Sequence, residues 1–178
     1  MKKTRILALG LALLLALALT ACGGTGGAPA AEAPDYLGTY NLVSLTLGPL
    51  TMAPDEFGYD GAFLDLKESD KLTFNDGTDS EVVPYTVDGS SFTLTEGSST
   101  LKGTMENDRI DLNFTGADLD MEGDDVFLVM HFALADSEAE AAIQEELESL
   151  GSMEAQLDAM SAEDLASFVD EYGAIFGE

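Results

Sequence analysis

Tryptophan is absent from the 178-residue chain, and histidine and cysteine occur once each, as His131 and Cys22. A lone cysteine excludes an intrachain disulfide. A lone histidine makes His131 the only residue on which a Ser-His-Asp or histidine metal site could be built. Cations are scarce: Lys and Arg number 7 against 34 Asp and Glu, a formal charge of −27. Beyond Arg109 there is no Lys or Arg at all. Such a surface repels nucleic acid and anionic lipid, and attracts cations and basic partners. Walker, Rossmann, zinc and Gly-x-Ser-x-Gly signatures are missing. Carboxylates are so abundant that no pair stands out as a general acid and base. The chain is therefore read as non-enzymatic and without a cofactor. The longest apolar run, from Ile6 to Ala21, falls short of the roughly 20 residues that cross a bilayer.

What that run does fit is export. Lys2, Lys3 and Arg5 precede a stretch that is nearly all Leu and Ala, the layout of a secretory signal peptide. It ends in Leu19-Thr20-Ala21-Cys22, which resembles the lipobox of bacterial lipoproteins. The resemblance implies a diacylglycerol thioether on Cys22, cleavage between Ala21 and Cys22, and an extracytoplasmic protein held on a cell membrane by its lipid. Two acyl chains supply anchoring that one cannot, at about 0.8 kcal/mol per buried CH₂. Losing Lys2, Lys3 and Arg5 leaves four basic residues against 34 acidic ones, a mature formal charge of −30. Residues 1–21 are thus read as signal peptide and 22–35, rich in Gly, Ala and Pro, as a lipidated tether.

Residues 36–135 change to period two. Eight short strands are expected: 36–47, 62–67, around Leu72 and Phe74, around Val83 to Val87, around Phe92 and Leu94, around Leu101 to Met105, Ile110 to Phe114, and Val126 to Leu134. Asn75-Asp76-Gly77, Asp88-Gly89, Glu96-Gly97 and Asn107-Asp108 read as tight turns. Residues 50–60 read as a loop. Pro84 removes a ladder donor and predicts an edge or bulge. The last strand has Phe127, Val129 and His131 on one face and Val126, Leu128, Met130 and Phe132 on the other, so both faces should be covered. Strands joined this way form an antiparallel meander, closed into a small barrel or strongly curled. Gly38-Thr39-Tyr40 is similar to the Gly-x-Trp that opens lipocalins, with Tyr in place of Trp. That resemblance implies a lipocalin-like barrel around an apolar ligand, with Tyr40 closing one end. The alternative is a barrel filled by its own side chains.

Residues 136–178 change to a helical period, and two amphipathic helices are expected. Ser137 to Glu140 reads as a capping box. Ala139, Ile143, Leu147 and Leu150 share a face that stops at Gly151, and Met153, Gln156, Leu157 and Met160 continue it weakly. Ser161 opens the second helix, whose stripe runs through Leu165, Phe168, Val169, Tyr172, Ile175 and Phe176. Without cations, these helices must be held by packing, on the β region or on a partner.

Asp118, Asp120 and Glu122 with Gly123 match the opening of a calcium loop, but position 12 is Val129 rather than Glu, so residues 118–125 read as a solvated turn. No metal site is expected, and His131, mid-strand, reads as structural. The expected role is binding, of a small apolar ligand or an envelope protein partner. The rivals are an accessory lipoprotein whose C-terminal helix docks on a partner, and a weak hydrolase using His131.

Overall fold

The computed structural model describes residues 35–97, 99–119 and 126–176. Among them are strands β1 (Gly38–Leu47), β2 (Leu50–Met52), β3 (Phe63–Leu66), β4 (Lys71–Asn75), β5 (Ser80–Asp88), β6 (Ser91–Glu96), β7 (Ser99–Glu106), β8 (Arg109–Thr115) and β9 (Val126–Leu134). Helices α1 (Glu138–Leu150), α2 (Met153–Ala159) and α3 (Ala162–Phe176) follow. Each strand from β3 to β9 pairs antiparallel with the next, β1 pairs with β3, and β9 returns to pair with β1. The result is a closed eight-stranded antiparallel barrel with β2 appended to β1. The turns carry the chemistry that tight hairpins need. Asn107 and Asp108, at φ 50° and 62°, both adopt the left-handed region of a type I′ turn.

Closure depends on a bulge in β1. Leu42 pairs with Phe132 and Ser44 with His131, leaving Val43 as the extra residue. Tyr40, Leu42, Leu45 and Leu47 are all buried in the main core, although strict alternation would send the last two outward. The bulge resets the parity. Val43 instead joins Ala133 and Ile143 in a second cluster outside the barrel, under α1. Leu128, Met130 and Phe132 fill the inside while Ala133 is buried outside, so β9 is covered on both faces as expected.

Pro84 lies, as expected, where β5 is locally an edge. β5 pairs with β4 as far as Pro84 and with β6 only from Tyr85 onward. The Tyr85 N–H donates to Asp70 O on the β4 side, at 2.9 Å. The missing donor of Pro84 therefore faces the other side, where the β6 ladder has already ended.

Two expectations about the connections are corrected. Residues 50–60 are not all loop: Leu50 and Met52, both buried, pair with Leu47 and Leu45 as β2. Their alternation around Thr51 is too short to stand out between the breakers at Gly48-Pro49 and Pro54. The C-terminal region holds three helices, not two, because the weak stripe of Met153 to Leu157 forms α2. Its Gln156 acts as a surrogate strand on the free edge of β2. The Thr51 N–H donates to Gln156 Oε1 at 3.0 Å, and Gln156 Nε2 donates to Thr51 O. That blunts an edge otherwise open to pairing.

The capping box at α1 is half formed. Ser137 Oγ accepts from the Glu140 N–H at 3.1 Å. The Glu140 carboxylate, however, takes the Asp136 N–H and Asn41 Nδ2, each at 2.8 Å, rather than the Ser137 N–H. It thereby ties α1 to β1. Helix α3 docks through its stripe: Phe168 is buried, and the Tyr172 ring stacks 5.1 Å from it and lies tilted, 4.8 Å from Phe127. Leu150 on α1 and Leu165 and Val169 on α3 stay exposed.

Gly48 makes this docking possible. Its φ is +55°, and a Cβ there would lie 2.7 Å from Tyr172 Cζ. Gly48→Ala is expected to destabilise the fold by about 1–2 kcal/mol through strain and clash. In a Tyr172→Ala background the clash disappears, so the double-mutant cycle measured by thermal melting should show coupling. Equal penalties in both backgrounds would mean that α3 does not rest on Gly48.

Candidate functional site

The inward residues of the strands fill the middle of the barrel. Tyr40, Phe92, Phe132, Leu64, Leu72 and Leu112 are at most 1% exposed. The packing loosens at both ends: at one lies a more polar cavity of about 380 Å³ beside Tyr36, Tyr40 and Asp108, and at the other β5 and β7 begin and β4, β6 and β8 finish. A cavity of about 350 Å³ opens there, at the small end of the usual 300–1,000 Å³ range for ligand sites. Its walls are apolar: Phe74, Val83, Leu94, Leu101, Leu112 and Phe114. Its rim carries Glu81 and Asp118, with Ser99 and Thr100.

Register explains why an acid reaches this mouth. On β5 the inward row includes Val83 and Tyr85, both buried. Glu81 is the preceding member of that row and sits opposite Phe74 of β4. Asp118 comes from the short 3₁₀ turn Ala117–Leu119 after β8. The Thr115 N–H and Oγ1 donate to its Oδ2 at 2.8 and 2.7 Å, which fixes the carboxylate. A larger groove of about 430 Å³ lies outside the barrel between α1 and strands β7 and β8. Its lining includes Glu106, Arg109, Asp111 and Glu146, so it lacks the apolar wall of the mouth.

Tyr40 lies at the opposite end, 1% exposed, where its hydroxyl donates to Tyr36 O at 2.9 Å. Burial first, then the negative charge of Asp108 and Asp35, pushes its phenol up to about 12.

His131 does not face the cavity. It points outward from β9 into a polar cluster that bridges three strands. Thr46 Oγ1 lies 2.9 Å from Nε2, and Asp111 Oδ1 lies 2.7 Å from Nδ1. Arg109 donates from Nε to Asp111 Oδ1 at 2.7 Å, and its Nη2 lies 2.8 Å from the same Nδ1. One ring nitrogen cannot both donate to the carboxylate and accept from the guanidinium, so these two contacts alternate with the tautomer. The hydroxyl–imidazole–carboxylate order matches a catalytic triad. Other features of the site serve it poorly. Thr46 pairs with both Val129 and Thr51 in the sheet, and its hydroxyl also lies 3.2 Å from that of Thr51. The Arg109 guanidinium, a donor only, competes with the imidazole N–H for the Asp111 carboxylate. The arrangement can lock β1, β8 and β9 together.

Cys22 lies outside the described residues, as do residues 120–125 of the acidic stretch and the side chain of Phe176. Among the described residues no group of three or more His, Cys, Asp or Glu is placed to hold a metal ion. Sequence reasoning singled out His131 but missed its partners. The signal was there: Arg109 and Asp111 alternate with Ile110 and Leu112, so they share the outer face. It also missed Glu81, whose place at the rim, in line with Val83 and Tyr85, shows only once the β5 register is known. No known protein family matches the chain, and no curated protein matches it.

Burial pushes the Asp111 carboxyl up, but hydrogen bonds from His131 and Arg109, with their charges, outweigh it, and it sits below the usual carboxylate range. A depressed carboxyl stabilises the fold above its unfolded pKa, about 3.9, and loses that contribution as pH falls through the folded value. Asp111→Asn is therefore expected to cost about 1–3 kcal/mol at pH 7. Urea melts at pH 7 and in acid should show the two proteins converging as the pH drops below about 4. A penalty of constant size across that range would show that the Asp111 charge contributes nothing.

Proposed function

We propose that this chain is a lipid-anchored, extracytoplasmic binding protein that takes a small apolar ligand into the mouth of its barrel. The observation that carries the reading is the apolar cavity at that end, walled by Phe74, Leu101 and Phe114 above a core that is otherwise full. A filled middle with one open apolar end suits a ligand that enters partway. The role is non-enzymatic on this reading, and the cluster around His131 is structural. The anchor rests on the resemblance of Leu19 to Cys22 to a lipobox. The rival in which the C-terminal helix docks on an envelope protein loses support, because Phe168 and Tyr172 are engaged with the barrel.

Leu101→Trp tests the cavity. Leu101 is half-buried in the wall, so a larger ring there should fill the space without touching the central core. Binding of a fluorescent apolar probe should fall about tenfold or more, the loss of at least 1.4 kcal/mol, with an unchanged circular dichroism spectrum. Undiminished probe binding would move the site elsewhere. The anchor is tested separately. Cys22→Ser should abolish fatty-acid labelling in cells, leave the precursor uncleaved, and release the protein from membranes. Equal labelling of both proteins would end the lipoprotein reading.

A further inference from the structure

We infer that the ligand of the mouth is a cationic amphiphile: an ammonium group on a short apolar body, and not a fatty acid. The inference rests on the ligand-binding reading and specifies its chemistry. Its basis is the conjunction at one rim of two acids, two aromatic rings and no cation. Glu81 continues the inward row of Val83 and Tyr85 and sits across the strand pair from Phe74. Its exposed side chain has no hydrogen bond or ion pair among the described residues. Asp118 is held by Thr115 through Oδ2, so its other oxygen is left for a ligand. No Lys, Arg or His lines the cavity.

The physical argument runs from the inside outward. The wall of Val83, Leu94, Leu101 and Leu112 rewards removal of an alkyl or aryl body from water. A head group stopping at the rim would meet Phe74 and Phe114. Ring faces attract a cation. Glu81 and Asp118, both exposed at the rim, add Coulomb attraction that salt screens in part. A carboxylate head group at the same place would meet two negative charges with nothing to offset them. A neutral one would gain only from the wall. The net charge of −27 draws cations to the whole surface, so the rim acids must be separated from the general field.

Three sub-micellar probes with the same tail make that separation on the soluble protein: decyltrimethylammonium, decanol and decanoate, followed by calorimetry at low and moderate salt. The cation is expected to bind about tenfold tighter than decanol, and decanoate weaker still. In Glu81→Gln/Asp118→Asn the cation should fall to the level of decanol, while decanol is unchanged. Glu145→Gln/Glu148→Gln, on the exposed face of α1, removes the same charge and should keep the preference. If Asp118→Asn unsettles the turn at Thr115, Glu81→Gln alone should still lose a substantial part of it. Equal binding of cation and decanol by the native protein overturns the inference and leaves the apolar site standing. A preference that survives loss of Glu81 and Asp118 assigns it to net charge and also overturns the inference. If none of the three probes binds, both the inference and the ligand-binding reading fall.

Discussion

Closure of the barrel by β1 against β9 is the constraint on which the rest depends. β1 is the common partner: it holds β3 along its first half, β2 along its second, and β9 along nearly all of its length. A regular ten-residue strand could not do this. It would present Tyr40 and Leu42 to the inside and then turn Leu45 and Leu47 to solvent. The extra residue at Val43 reverses the parity at mid-strand. All four side chains then enter the core, and Val43 is free to seat α1. With β1 and β9 paired, no long edge remains, and the one short edge, on β2, is covered by Gln156.

Strand positions and turns were legible because period two and the Asn-Asp and Asp-Gly pairs are local signals. So was the two-sided burial of β9, from its unbroken apolar run. What could not be read locally was anything set by register. The Val43 bulge appears in the sequence only as a break in alternation between Leu42 and Leu45. The union of Thr46, Asp111 and His131 needs the pairing of three strands separated by up to 85 residues. Nothing local distinguishes Glu81 from the other acids; only the pairing of β5 with β4 places it beside Phe74. Pro84 was flagged as a missing donor, but where that donor would have pointed depends on which neighbour β5 has at that residue.

The shortage of cations shapes how the acids are used. Two of the described carboxylates, Asp65 and Asp111, have salt-bridge partners. Others take neutral donors. Asp76 accepts from the N–H groups of Thr78 and Asp79, and backbone hydrogen bonds hold its carboxyl below the usual range. Glu56 accepts from the N–H groups of Ala53 and Met153, joining the 3₁₀ turn Pro54–Phe57 to α2. Glu140 joins β1 to α1 in the same manner. A carboxylate accepting backbone amides is stabilised without any cation. The helices therefore dock despite an uncompensated negative charge.

Position is what sets Glu81 apart. Acids tied into the fold have donors, a Lys, an Arg, a backbone N–H, an Asn or a Thr, while exposed acids such as Glu145 and Glu148 have none among the described residues. The Glu81 side chain has none either, but it stands at the rim beside Phe74, exposed, one step beyond the buried Val83 and Tyr85 in the same row of β5. A neutral or apolar residue there would extend the hydrophobic wall by one layer and would not draw cations to the opening. The acid forgoes that layer, and the folded chain offers it nothing in return. Asp118, tethered through one oxygen at the same rim, places a second charge beside it. On the proposed reading, selection by the sign of a ligand's head group would follow from two such charges above an apolar wall, because the wall alone rewards every tail of a given size equally.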